Sequence, residues 1–344
     1  MSAAISSSDQ PDPTYLDRII QDIPTLLPNH PNVVSILPIT APGGLHPNVQ
    51  RIILSSGESV ISKCHLFSRM TAGKPHHHLA VERATSERLI RNGCPVPAVL
   101  GAIEDLGVVI LEDVGDETLD DYVQTRTPIS RAGLATSAAD AFVHIQETLI
   151  QQDDLEEGQI APGCDEESVK RAFGSLTAAF DVDRLRSLIR QKDKVDNVLA
   201  QIHRLVTTLV KQPVYLGPTD YNARNIVVAK SGRPFYLEWS KLGYDWPERR
   251  VVQYLTSLGT GRADARPMSL IDPWIAEQYA STASWSDPET AAFSLDAHHL
   301  IFHILLALRW VERADRLPGS IKTALSTPLS PSPVTIGIRK QFTA

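Results

Sequence analysis

The stretch Leu216-Gly217-Pro218-Thr219-Asp220-Tyr221-Asn222-Ala223-Arg224-Asn225-Ile226 sets a carboxylate and a carboxamide five residues apart on one loop. A hairpin is predicted to follow and to end in Phe235-Tyr236-Leu237-Glu238-Trp239, which brings a second acid. One loop and one short strand thus deliver three oxygen-bearing side chains. That layout suits phosphoryl transfer: the first acid orients an attacking hydroxyl and can take its proton, while the Asn and the later acid hold magnesium against nucleotide phosphates. An acid and an Asn at this spacing also arise by chance, so the upstream sequence decides.

A chain of 344 residues supports one large domain or two smaller ones with ample core. Its three cysteines, Cys64, Cys94 and Cys164, are widely separated and odd in number, which argues against a disulfide framework and for a reducing, cytoplasmic setting. Met1 to Pro13 carries Ser, Pro and Asp with no basic start or apolar run, and reads as a disordered tail rather than a targeting segment. Leu300 to Val311 is strongly apolar but contains His303 and Arg309 and falls short of the ~20 residues that span a bilayer. Net charge is -7, and no Lys/Arg run is dense enough to track a phosphate backbone. The expected partner is a small-molecule substrate, with neither nucleic acid nor membrane.

Texture changes near residue 113. Before it, β-rich runs dominate at Val33 to Leu37, Val49 to Leu54, Ser59 to Leu66 and Val108 to Glu112, with one helical segment, Leu79 to Arg91, among them. After it, helical periodicity takes over. Val195, Val198, Leu199, Ile202, Leu205, Val206 and Leu209 describe one apolar stripe, and further helices are predicted over Asp140 to Ile150 and Leu300 to Arg313. The predicted fold class is α+β: an N-terminal tail over 1–28, a small β-rich lobe over 29–113, a mainly helical lobe over 114–325 and a C-terminal tail over 326–344.

Over roughly residues 33 to 310 the ordered segments resemble the aminoglycoside phosphotransferase and choline kinase family, itself similar in fold to the protein kinases. Gly43-Gly44-Leu45 and Asn48 resemble the turn over the nucleotide phosphates, where glycines let backbone N–H groups approach phosphate oxygens. Val60-Ile61-Ser62-Lys63 resembles the strand whose cation contacts the phosphates. Glu82 stands where the family offers that cation an acidic partner; Glu87 competes, but the distance from Glu82 to Pro97 fits the family. Val109 to Gly115 resembles the hinge strand, with Glu112 and Val114 beside an adenine edge. The resemblance implies a two-lobed protein-kinase-like fold and an ATP- and Mg2+-dependent phosphotransferase, with Asp220 as catalytic acid, Asn225 and Glu238 as metal ligands, and Tyr221 and Arg224 as possible substrate contacts.

Three departures bear on that expectation. Pro218 stands where the family carries His, Glu238 where it carries Asp, and Arg250 where it carries a structural Asp. Glutamate offers the same hard oxygens one methylene further out, and magnesium tolerates poor octahedral geometry badly. Two alternatives therefore stay open: a pseudokinase, and a cleft that uses Asp220 or Glu238 for acid–base chemistry without ATP. The acceptor is not identified. Acidic runs at Asp153 to Glu157 and Asp165 to Glu167 read as solvated faces that also suit a cationic substrate, whereas Arg224 and Arg250 suit an anionic one. His76-His77-His78 reads as a polar loop, Asp245 as a turn residue, and Trp239, Trp246, Trp274, Tyr279 and Trp310 of the second lobe as core.

Overall fold

Tyr15, Ile19, Ile23 and Leu27 recur every four residues, and that stripe is buried along helix α1 (Pro13–Leu26). In the computed structural model, which describes residues 13–41, 44–65, 70–71, 74–151, 158–260, 265–312 and 317–342, the chain divides into two units. The first comprises Met1–Gly115, Leu155–Pro162 and Phe235–Leu242; the second comprises Asp116–Asp154, Gly163–Pro234 and Gly243–Ala344.

In the first unit, strands β1 (Val33–Ala41), β2 (Gly44–Leu54) and β3 (Ser59–Cys64) are followed by helix α2 (His78–Arg91) and strands β4 (Val99–Ile103) and β5 (Val108–Glu112). The sheet order is β1-β2-β3-β5-β4, with every neighbour antiparallel. Val108, Val109 and Ile110 are fully buried, as a continuous apolar run on an inner strand requires. The α1 stripe packs with Ile52, Leu54, Val60, Ile103 and Ile110. Gly101 permits this: a Cβ there would stand 3.1 Å from Leu26 Cβ. The predicted tail over 1–28 is thus corrected for its second half, since Pro13–Leu26 form a helix and Tyr15, Ile19, Ile23 and Leu27 are core; the first half lies outside the described residues. Two distant segments complete the unit. Ala161 N donates to Leu242 O at 2.8 Å, and Tyr236 N to Pro95 O at 2.9 Å.

The second unit contains α3 (Leu119–Thr125), α4 (Pro128–Ile150), α5 (Glu166–Gly174), α6 (Val182–Leu188) and α7 (Val195–Val210). Strands β6 (Tyr215–Pro218), β7 (Ile226–Val228), β8 (Pro234–Tyr236, whose last two residues belong to the first unit) and β9 (Leu242–Asp245, from Gly243 on) follow, then α8 (Pro247–Thr256), α9 (Pro273–Thr282), α10 (Pro288–Val311), α11 (Gly319–Ser326) and α12 (Pro333–Arg339). Helix starts are written locally. Thr127-Pro128, Asp272-Pro273 and Asp287-Pro288 each pair a capping oxygen with a proline whose missing N–H needs no partner. Helices α4 and α10 therefore begin about twelve residues before their apolar periodicity becomes plain.

The α7 stripe packs on Leu300, Ile301, Ile304 and Leu308 of α10. Helix α10 is long and apolar enough to cross a membrane by length and composition, yet 78% of its most apolar window is buried inside the protein, the mark of a core helix. Residues 326–342 also depart from the predicted tail over 326–344. Arg339 pairs with Asp296 of α10 in a fully buried ion pair, and Thr335 Oγ1 donates to the same carboxylate at 2.5 Å. A charge buried on a core helix demands a partner, and the C-terminal segment supplies it.

Candidate functional site

In the first unit, the buried face of α2 runs through His78, Val81, Glu82, Thr85, Ser86 and Leu89. A glutamate at such a position must be paired. Lys63 of β3 meets it: Nζ lies 2.8 Å from Glu82 Oε1 and 3.1 Å from Glu238 Oε1. His65 Nε2 closes on the other oxygen of Glu82. Glu87 is exposed on the opposite side of the helix. Burial opposes the charge on Lys63, but the fields of Glu238 and Glu82 outweigh it and raise its pKa. Burial likewise opposes ionisation of Glu82, and Lys63 and His65 reverse that and depress its pKa. Glu238 holds φ +68°, a left-handed conformation unusual for a residue with a Cβ.

The polar-loop reading of His76-His77-His78 is corrected: His77 is exposed, but His76 and His78 are buried. The His78 ring stacks on His65 at 5.9 Å and meets His76 edge-on at 4.7 Å, while His76 Nε2 contacts Ser240 O at 3.1 Å. Burial, with His76 and Lys241 adding to it, lowers the His78 pKa to about 4, so the ring is neutral at pH 7. Among the described residues, no group of three or more His, Cys, Asp or Glu side chains is arranged to hold a metal ion.

Gly43 lies outside the described residues, and Gly44 opens β2. Glu112 ends β5 with its N–H donated to Ala98 O at 2.8 Å and its side chain accepting from Ala98 N at 3.2 Å; the half-buried Val114 follows. Between them Asp113, which the sequence did not single out, accepts from Arg51 Nε at 2.6 Å and Ser59 Oγ at 2.6 Å. An arginine on one strand and an acid just beyond another carry no local signature.

In the second unit, β6 delivers Asp220 into a turn that organises itself. Asn222 Nδ2 donates to Asp220 Oδ1 at 2.8 Å, and Asn222 Oδ1 accepts from Arg224 N at 3.0 Å. Asn225 Nδ2 donates to Asp220 O at 2.7 Å, which commits the amino end of that carboxamide and leaves its oxygen as the end available to a cation. Asp220 and Arg224 are exposed. Tyr221 points the other way. Its hydroxyl bonds to Asp245, and burial together with that carboxylate raises its pKa. Asp245 also accepts from Trp246 N at 2.8 Å and pairs with Arg249 at 2.9 Å, so the turn-residue reading of this buried acid is corrected.

Arg250 is fully buried. Its Nε donates to Pro218 O at 3.1 Å, Nη1 to Gln146 Oε1 at 3.0 Å, and Nη2 to Tyr215 O at 2.9 Å and Gly243 O at 2.8 Å.

The first unit has an antiparallel sheet with α2 inserted before its last two strands and a buried lysine–glutamate pair, and the mainly helical second unit carries the acid–carboxamide loop. The fold is α+β: a first unit built on a five-stranded antiparallel sheet and a mainly helical second unit. No protein-family model matches the sequence, and no curated protein matches it. Among solved structures, the chain is similar to choline kinase LicA from Streptococcus pneumoniae, at 14% identity and TM-score 0.47, covering 88% of this chain and 94% of that one. It is also similar to the AMP-bound spectinomycin phosphotransferase APH(9)-Ia, at 13% identity and TM-score 0.49 over 90% and 98% of the two chains. A choline/ethanolamine kinase family protein from Mesorhizobium loti gives 13% identity and TM-score 0.44 over 95% and 99%. Similarity of this degree assigns no chemistry.

The sequence did not disclose the partners of Arg250 and Asp245. Trp239, Trp246 and Tyr279 are core, as expected, while Trp274 is 58% exposed.

Proposed function

We propose that this chain transfers the γ-phosphoryl group of ATP to a hydroxyl of a small molecule, with magnesium as cofactor. One observation carries the reading: a buried ammonium, Lys63, is held between Glu82 and Glu238, residues far apart in sequence. Burying one cation with two carboxylates is costly as a device for stability alone, because desolvation offsets much of the attraction. Holding Glu238 in a left-handed conformation adds roughly 1–2 kcal/mol, and strain of this kind concentrates at functional sites.

The donors fit magnesium. This ion takes hard oxygens, needs only one or two protein carboxylates, and completes its shell with water and substrate phosphates. Glu238 supplies a carboxylate, and Asn225 a carboxamide whose nitrogen is already committed. Magnesium held by either group would neutralise charge on the phosphates. Lys63 supplies a second, permanent positive charge. Asp220, with one oxygen on Asn222, orients the acceptor hydroxyl through the other and takes its proton as the new P–O bond forms and ADP leaves. Positioning and electrostatics supply most of the rate.

Calorimetric titration with ATP, with and without magnesium, tests the reading beside Glu238→Ala and Asp220→Ala. Magnesium-dependent binding that Glu238→Ala abolishes and Asp220→Ala preserves is expected. Absence of nucleotide binding under both conditions removes it. A second reading, nucleotide binding without transfer, is favoured by the engagement of Glu238 Oε1 with Lys63, which takes one of the two carboxylate oxygens a metal would use. Formation of a phosphorylated product separates the two.

A further inference from the structure

We infer that Arg250, together with Gln146, is the positioning device of the Asp220 loop, and that Gly217, Pro218 and Arg250 form one interdependent set. The inference rests on the proposed role of Asp220 in orienting the acceptor.

A guanidinium presents five N–H donors in a rigid plane. Arg250 directs its three nitrogens to four oxygens: the carbonyls of Tyr215 and Pro218 at the two ends of β6, that of Gly243 on β9, and the side chain of Gln146 on α4. All four are uncharged. Gln146 completes the grip from its other end, since Nε2 donates to Leu216 O at 2.7 Å. Three carbonyls of the strand leading directly into Asp220 are therefore held by two buried side chains.

The sequence of that strand matches the grip. A Cβ on Gly217 would stand 2.5 Å from Nη1 and 2.6 Å from Cζ of Arg250, so the guanidinium occupies the space any larger residue would need. Pro218 has no N–H, so its peptide unit can only accept, and its ring fixes φ. A carboxylate at position 250 would face oxygens where donors are required. The departures at 218 and 250 are thus complementary: a support built from donors serves a strand that presents acceptors. Asp220 takes its place from a strand clamped within the unit, which makes the unusual loop a supported one.

The test uses the full chain, with hydrogen exchange followed over residues 219–225 in the wild type, Arg250→Lys, Gln146→Leu and Gly217→Ala. A lysine ammonium offers donors from one point and cannot span oxygens on three segments. Exchange over 219–225 is expected to rise roughly tenfold while α12 amides stay unchanged. MgATP turnover to water should fall roughly tenfold with ATP affinity within about twofold of wild type, a loss in kcat rather than in binding. Exchange that is unchanged over 219–225, or that rises equally in α12, overturns the inference. If Arg250→Lys does not fold, Gln146→Leu, which leaves the guanidinium three acceptors, decides by the same comparison. If the wild type binds no ATP, the functional reading fails by itself and the exchange data still judge the positioning role.

Discussion

Lys63 Nζ stands 2.8 Å from Glu82 Oε1, and both groups are buried. Removing the cation strands a carboxylate with only His65 to face it, so Lys63→Met should lower stability by about 3 kcal/mol or more in urea denaturation. Neutralising the partner as well, in Lys63→Met with Glu82→Gln, should restore part of the loss. A single-variant effect below ~1 kcal/mol would show that the pair is solvated in a way its burial does not reveal.

The left-handed backbone of Glu238 makes a prediction that is independent of its charge. Glycine normally destabilises relative to alanine, because the unfolded chain gains freedom. At φ +68° the order should reverse, with Glu238→Gly about 1 kcal/mol more stable than Glu238→Ala. Both variants lose the contact to Lys63, so that contribution cancels in the comparison. Equal stability, or the usual order, would argue that the segment relaxes out of this conformation.

Glu248 is buried in the second unit and accepts from Trp285 Nε1 at 3.0 Å, Tyr279 Oη at 3.3 Å and Ser294 Oγ at 3.2 Å. Burial raises its pKa despite these donors. A folded pKa above the unfolded one gives a contribution that is fully present below the unfolded carboxylate value and is lost as pH rises through the folded one. Glu248→Gln keeps the shape without the charge. It should be more stable than wild type at pH 8, with the advantage shrinking toward pH 4, as thermal melts across that range would register. An advantage that grows toward acid would contradict the sign.

What could be read from sequence comes from spacing and from ordered resemblance: Asp220 and Asn225 sit five residues apart on one loop, Lys63 ends a strand that resembles the family's, and Glu82 stands at the family's distance from Pro97. What could not be read depends on meetings between distant segments. Arg51 and Asp113 find each other through strand order. Asp245 looks like any acid in a turn until Tyr221 and Arg249 fold over it. Arg250 departs from the family pattern in sequence, and only its four acceptors give that departure a purpose. The α1 stripe was visible at its spacing of four, but it adjoins a Ser- and Pro-rich start that masks it. Residues 333–342 carry too short a periodic run to declare a helix without knowledge of Asp296.

The first unit is assembled from pieces that leave the ribosome at very different times. When residues 1–115 have emerged, Lys63 already has Glu82, but Glu238 and Tyr236, whose N–H closes on Pro95 O, have yet to be translated. The sheet can form early on the nascent chain, whereas its charge arrangement must wait until most of the second unit has been synthesised. A gene fragment cut after Gly115 would encode the sheet while leaving the lysine with one of its two counter-charges, so the nucleotide chemistry proposed here cannot be transplanted as an N-terminal cassette.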